Sequence, residues 1–261
     1  MRIDLNSDLG ESFGPWPMGQ DAALMTSITS ANVACGFHAG DPGTMRATIQ
    51  LAKTHGVQIG AHPGFPDLVG FGRRELRASA QEVEDFVAYQ VAALSGMAAA
   101  QGVRLQHVKA HGALYNMAVR DRSLAQAIAR AVVAIDRSLV FFGLPHSELL
   151  RAGEAAGLRV AAEVFADRAY EADGSLASRQ KPGSVLHDAG AVVARSIRMV
   201  CDREVVALDG STIRLEADTI CLHGDTPGAA ALALAVRQGL DRKSTRLNSS
   251  HIQKSRMPSS A

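Results

Sequence analysis

The stretch IDLNSDLGES at residues 3–12 shows how the strands of this fold are built. Apolar and polar residues alternate along it, which is typical of a β-strand, and Asp4, Asn6 and Asp8 fall on one side. Three polar side chains on one face are unusual for a packed core, because each buried polar group needs a partner. We therefore expect Asp8 to serve a functional site and Asp4 to belong to a structural network.

The same arrangement, a strand followed at once by polar residues, recurs along the chain. Strands alternating with alanine-rich helical patterns indicate a parallel α/β fold. Polar clusters follow most of the strands, which favours a closed barrel with one functional mouth over the alternative, an open doubly wound sheet. The predicted strands are Ile3–Leu5, Ala31–Cys35, Gln58–Ala61, Leu105–Lys109, Leu139–Gly143, Val160–Phe165 and Thr219–Leu222.

Helix ends and one hairpin are also readable in the sequence. Asp41 before Pro42 predicts an N-cap, and Ser79 three residues before Glu82 predicts a capping box. The pair Asp-Gly at 209–210 predicts a small β-hairpin over 203–215, just before the last strand. The predicted helices are Asp21–Thr29, Pro42–His55, Ala80–Gln101, Ser123–Ile135, Ser147–Ala156, Gly190–Val200 and Gly228–Leu240.

We expect residues 1–240 to form one barrel domain. After Leu240 the sequence becomes rich in serine and basic residues and loses its apolar period. Residues 241–261 are therefore predicted to be a disordered tail that is foreign to the native gene. The alternatives are a native unstructured end and a tail that binds nucleic acid or a partner.

Composition excludes several classes of function. Of the 261 residues, 27 are Lys or Arg and 26 are Asp or Glu, so the net charge of +1 predicts binding to neither nucleic acid nor an anionic membrane. Three cysteines without a C-x-x-C motif indicate reduced thiols. No apolar run is long enough to span a membrane, and the N-terminus lacks the features of a signal peptide. We expect a cytoplasmic protein.

Histidines dominate the polar clusters that follow the strands. We expect His38, His62, His111 and His223 to converge with Asp8 at one mouth. Such a set could bind a divalent metal, or it could carry out metal-free acid–base chemistry. The sequence leaves both alternatives open, since it contains no closely spaced metal-ligand motif.

Charged residues within apolar surroundings are further candidates. Lys109 follows a strand, so we expect it to be buried and paired with a carboxylate or to act as a base, and Glu163 inside another strand needs such a partner. Arg73 and Arg74 could hold a carboxylate or phosphate, or they could be a solvated surface pair. Cys35 is interpreted as a small buried hydrophobe rather than a nucleophile.

Six segments in this order resemble the LamB/YcsF family, and the resemblance runs from Met1 to about Leu240. It implies a seven-stranded (β/α) barrel, TIM-like and similar to that of the polysaccharide deacetylases. The segments are IDLNSDLGESFG, SANVACGFHAGDP, IGAHPGFPDLVGFGRR, HVKAHGALYN, EVFADRAY and TICLHGDTPGA.

The resemblance also implies an activity, the ATP-dependent opening of the lactam 5-oxoproline (pyroglutamate) to L-glutamate by a 5-oxoprolinase, in which this chain is the A component beside subunits B and C. The sequence contains no P-loop motif, so the expectation that ATP is used rests on the resemblance alone. Asp8 or His111 would then activate water, and Lys109 or Arg73 would hold the substrate carboxylate or a phosphoryl oxygen. The other expected site residues are His38, His62 and Glu163 in catalysis, and Asn6, Glu11, Arg168 and His223 in substrate binding.

Two further functions stay open at this point. One is a metal-dependent amidase or deacetylase on the same barrel, acting without ATP. The other is a non-catalytic subunit that shapes the active site of a partner.

Overall fold

A computed structural model describes residues 2–225, 228–243 and 246–247. Within them, seven parallel strands close into a barrel in the order β1-β2-β3-β4-β5-β6-β9, with β9 paired to both β6 and β1. The strands are β1 (Arg2–Leu9), β2 (Ser30–Ala34), β3 (Gln58–His62), β4 (His107–Val108), β5 (Val140–Gly143), β6 (Arg159–Phe165), β7 (Glu204–Val206), β8 (Thr212–Arg214), β9 (Thr219–Leu222) and β10 (Arg246–Leu247).

Helices cover the outside of the barrel and begin where the sequence offers caps. Asp41 caps the second helix by accepting hydrogen bonds from the backbone N–H groups of Gly43 and Thr44, and Ser79 forms the predicted capping box with Glu82. The helices are α1 (Asp21–Leu24), α2 (Pro42–His55), α3 (Ala80–Ala99), α4 (Gly112–Ala118), α5 (Arg122–Ile135), α6 (Glu148–Ala155), α7 (Ala189–Cys201) and α8 (Ala229–Arg242). Among the described residues, no helix is both long and apolar enough to cross a membrane.

The predicted barrel is confirmed, as is the hairpin, in which β7 and β8 pair antiparallel. The helix predicted over Asp21–Thr29 is too long, since α1 ends at Leu24. Thr29 instead bonds to β1, where its N–H donates to the carbonyl of Leu5 at 2.8 Å. The helix α4 was not predicted. It is only seven residues long and begins with a glycine, so it carries little local signal.

The last helix begins differently from the prediction. Its N-cap is Gly228, and no side chain caps this end. Asp225, which precedes this helix, accepts a hydrogen bond from Arg73. The predicted tail from residue 241 lies mostly outside the described residues; of it, 241–242 end α8 and 246–247 pair with β1.

Candidate active site at the barrel mouth

The closed parallel sheet brings the ends of the strands to one mouth, which opens into a cavity of about 950 Å³. Seven predicted site residues line it: Asp8, His62, Arg73, Lys109, His111, Arg168 and His223. Four others lie outside the lining. Glu163 is fully buried beside Lys109, Glu11 and His38 are buried behind the histidines, and Asn6 lies deeper in the barrel.

A buried ammonium between two carboxylates forms the floor of the mouth. Lys109 Nζ lies 2.8 Å from Asp8 Oδ1 and 3.0 Å from Glu163 Oε1. It also donates to Cys221 Sγ at 2.9 Å. The expected pairing of Lys109 with a carboxylate is therefore present, with two acids sharing one cation.

The two carboxyl groups differ in their affinity for protons. Burial alone would raise the pKa of Asp8, but the charges of His62 and Lys109 hold it well below its ordinary value. Burial raises the pKa of Glu163, and its attraction to Lys109 offsets this only in part. Burial would likewise lower the pKa of Lys109, yet Asp8 keeps it well above its usual range. Asp8 therefore gives up its proton more readily than Glu163, and a pair of acids separated in this way is typical of acid–base sites.

Two histidines face each other with their tautomers set by backbone carbonyls. His62 Nδ1 lies 2.8 Å from the carbonyl oxygen of Lys109, and His111 Nε2 lies 2.8 Å from that of Phe71. A carbonyl oxygen only accepts, so both of these nitrogens carry hydrogen. In the neutral rings the remaining nitrogens, His62 Nε2 and His111 Nδ1, are then both bare, although they lie 2.9 Å apart. Two lone pairs at this distance need a shared proton or a cation.

Glu11 and His38 complete this group. One ligand atom from each of Glu11, His38, His62 and His111 lies within 4.8 Å of all the others, and all four residues are buried. Among the described residues, neither ring nitrogen of His38 has a hydrogen-bond partner. Burial lowers the pKa of His38 and raises that of Glu11, in the latter case with help from the charge of Asp8.

These residues fit a divalent metal. Three imidazoles and one carboxylate are a common donor set for zinc and related ions, and the unpartnered nitrogens of His38 are an observation independent of the set. The hydrogen bonds to the carbonyls of Lys109 and Phe71 are the kind of outer contact that orients metal-bound histidines.

A glycine makes this packing possible. Gly72 has a positive φ of 62°, and a Cβ there would lie 2.7 Å from His38 Cβ and 2.8 Å from His111 Cδ2. The loop that carries Phe71 can therefore approach the histidines only with glycine at this position.

The predicted arginines and His223 take different positions. Arg73 Nη2 donates to Asp225 at 2.6 Å across the rim, and Arg74 pairs with buried Asp67, away from the cavity. His223 Nδ1 lies 2.9 Å from Asp167 Oδ1, and its ring stacks on Phe165. Arg74 is therefore a structural partner of Asp67, whereas Arg73 and His223 face the cavity.

Two other predicted residues make contacts that limit their access. Both ends of the Asn6 amide are engaged, because its Nδ2 donates to Thr219 and its Oδ1 accepts from Asn32. Burial raises the pKa of the Cys35 thiol to about 12, so it stays protonated and behaves as the small buried hydrophobe expected. Substrate binding by Asn6 remains a prediction.

Sequence reasoning missed two residues of the site. Cys221 contacts Lys109, and Arg179, in the long connection after β6, lines the cavity. No local pattern distinguishes Arg179 from a surface arginine. Asp167, in the polar cluster that directly follows β6, orients His223.

The chain is similar to known proteins in both sequence and structure. The sequence pattern of the LamB/YcsF family matches residues 3–255. The 5-oxoprolinase A subunit of Rhodopseudomonas palustris is 56% identical over 244 residues, which are 93% of this chain and 96% of the relative. The protein of the same name from Bordetella pertussis is 54% identical over 240 residues, 92% of this chain and 95% of the relative. The crystal structure of a lactam utilization protein from Thermus thermophilus superposes with a TM-score of 0.90 at 48% identity, covering 95% of this chain and 99% of that one.

Proposed function

The chain belongs to the LamB/YcsF family, and we propose that it is the A component of an ATP-dependent 5-oxoprolinase, which opens 5-oxoproline to L-glutamate together with subunits B and C. The names of its relatives support a hydrolase that acts on lactams. The observation that carries the proposal is the buried Asp8–Lys109–Glu163 group at the cavity floor, which holds an ionised carboxylate beside a fixed cation.

The reaction needs activation of an amide that is stabilised by resonance. Transfer of the γ-phosphoryl group of ATP to the lactam oxygen forms one P–O bond, breaks the P–O bond to the departing ADP, and makes the ring carbon electrophilic. Water then attacks that carbon, the ring C–N bond breaks and the ring nitrogen takes up a proton, which leaves an acyl phosphate. A second water cleaves the acyl phosphate to the side-chain carboxylate of glutamate and free phosphate. The enzyme must deprotonate water and stabilise negative charge at the same carbon.

The described residues can supply both functions. Asp8, ionised and 3.4 Å from His62 Nε2, is the base that we assign to the attacking water. Lys109 stays protonated and lies beside Asp8, so it stabilises charge on the lactam or phosphoryl oxygen. Glu163 is completely buried, does not line the cavity, and therefore positions the ammonium of Lys109 rather than touching substrate.

The four-residue group of Glu11, His38, His62 and His111 favours a second candidate, a metal-dependent amidase that acts without ATP. A divalent ion held by these residues would supply Lewis-acid activation of the amide and of water. In that case Asp8, next to His62, would orient the attacking water and accept its proton.

The test is glutamate release from 5-oxoproline by the full chain with its partner subunits, with and without ATP. Release that needs both ATP and this chain is the expected result. Release without ATP that a chelator abolishes would replace the proposal with the amidase. Full activity of Asp8→Asn and Lys109→Met variants, with assembly intact, would instead identify a non-catalytic subunit.

A further inference from the structure

The lining of the cavity carries positive charge that has no ion-pair partner among the described residues. The acids of the lining are Asp8, Glu75, Glu171 and Asp173, and its permanently cationic residues are Arg73, Lys109, Arg120, Arg168, Arg179 and Lys181. Four of these cations have carboxylate partners: Arg73 pairs with Asp225, Lys109 with Asp8 and Glu163, Arg120 with Asp173, and Lys181 with Glu171. Arg168 and Arg179 are left over.

Arg168 is held in place by carbonyl oxygens and forms no ion pair within the described part of the chain. Its side chain follows β6, and the residue is only 4% exposed. Nη2 donates to the carbonyl of Ala177 at 2.5 Å and Nε to that of Ser184 at 3.4 Å. A guanidinium has five N–H donors, so these two bonds orient the group and leave donors for a ligand in the cavity.

Arg179 has no hydrogen-bond or ion-pair partner among the residues that the structure describes, although it is half-buried in the cavity wall. Both arginines line the same cavity, and burial first, then the charge of Arg179, lowers the pKa of Arg168 to about 10. Two guanidinium groups without ion-pair partners in the lining of one partly desolvated cavity are unfavourable unless an anion lies against them.

The neighbouring acids Asp167 and Asp225 are not the anion that Arg168 and Arg179 require, because each is engaged by another residue. Asp167, the residue before Arg168, is engaged by both the ring and the backbone N–H of His223. Asp225 accepts from Arg73. The positive charge of Arg168 and Arg179 therefore lies on the lining of the cavity itself.

We propose that Arg168 and Arg179 form an oxyanion subsite that binds a carboxylate or phosphoryl group of the ligand in the cavity. The planar fork of a guanidinium matches both groups in a bidentate manner, which a lysine cannot reproduce. The inference rests on the proposed function for the identity of the ligand. The carboxylate of 5-oxoproline and the phosphoryl groups of ATP are the two sources of such an anion.

Direct binding separates these sources and does not depend on turnover. Calorimetric titrations of the full chain, alone and with its partner subunits, use 5-oxoproline, its uncharged carboxamide, ATP and inorganic phosphate. In Arg179→Met we expect the Kd of one anion class to rise tenfold or more, and carboxamide binding to stay within twofold. Arg179→Lys should recover little of the loss.

The controls keep this test decisive. Arg130→Met removes an arginine of the outer helix α5 that pairs with Glu84, and it should leave every Kd unchanged. A rise for 5-oxoproline identifies the carboxylate, and a rise for ATP and phosphate identifies the phosphoryl group. Equal losses for the acid and its carboxamide, an unchanged Kd for all anions, or no anion binding by the wild type would overturn the subsite. Glutamate release is a separate measurement that can succeed or fail whichever of these binding results is found. The subsite and the proposed function can therefore be overturned independently.

Discussion

The lower interior of the barrel and its mouth are both lined with polar residues, but these residues form a continuous chain of hydrogen bonds in the interior and an incomplete set at the mouth. In the lower interior His107 donates to Asn32 at 2.7 Å, Asn32 to Asn6 at 2.7 Å, and Asn6 to Thr219 at 2.7 Å. Thr219 then donates to Asp4 at 2.5 Å. Burial lowers the pKa of His107 to about 3, so its ring is neutral and the chain of hydrogen bonds has one direction.

At the mouth, only a few ångströms along the same strands, the bonding is incomplete. The ring nitrogens of His38 have no hydrogen-bond partner among the described residues, and the bare nitrogens of His62 and His111 face each other. A fully satisfied network rigidifies a core, whereas buried groups that lack partners are typical of a place where a ligand or ion binds. The contrast separates structural polar residues from functional ones on the same barrel face.

The largest expected effect lies at the mouth. Asp8→Asn removes the ionised carboxylate, so we expect turnover to fall by about 10²–10⁴-fold, the usual loss on removing a general base. The fold should survive, because Glu163 still lies beside the ammonium of Lys109. Glutamate release with the partner subunits measures the rate, and thermal unfolding checks the fold. A variant that keeps more than a tenth of the wild-type rate would remove Asp8 from the mechanism.

A substitution in the lower interior is expected to have a smaller effect, and to change the stability of the fold instead of the rate of turnover. Thr219→Val replaces the hydroxyl that links Asn6 to Asp4 with a methyl of similar size. Loss of these buried hydrogen bonds should lower the free energy of unfolding by about 1–3 kcal/mol, while turnover per folded molecule stays unchanged. Chemical denaturation measures the first and glutamate release the second.

The matched control is Thr54→Val on an exposed part of α2, where a change within about 0.5 kcal/mol is expected. If Thr219→Val lowered the rate per folded molecule as strongly as Asp8→Asn, the distinction between the two regions would be lost.

The smallest effect on stability should come from His38. Since its ring nitrogens make no hydrogen bond, His38→Leu should change the free energy of unfolding by less than about 1 kcal/mol. His62→Leu, which loses the hydrogen bond to the Lys109 carbonyl, should cost more, about 1–3 kcal/mol.

Metal binding is the second measurement on the His38→Leu and His62→Leu variants. Both variants should weaken binding of Zn²⁺ or Co²⁺ to the full chain, measured by calorimetry and by the Co²⁺ absorption spectrum. Wild-type affinity in His38→Leu, or a loss of stability equal to that of His62→Leu, would show that His38 is an ordinary core residue.

Several features of the site could be predicted from residues alone. Lys109 within apolar neighbours and Glu163 inside a strand each needed a partner, and they lie 3.0 Å apart. The alternation in β1 correctly placed Asp4, Asn6 and Asp8 on one buried face. The tautomers of His62 and His111 could not be predicted, because the carbonyl of Phe71 reaches His111 only through a loop with positive φ at Phe71 and Gly72.

The amino-acid sequence by itself determined the alternation of strands and helices, their caps and the hairpin, because these depend on residues only a few positions apart. Tertiary structure alone decided which polar groups meet. The bond from Thr219 to Asp4 joins residues 215 positions apart, and that from Lys109 to Asp8 joins residues 101 apart. Such pairs exist only once β9 closes against β1, and closure is what turns seven separate strand ends into one site.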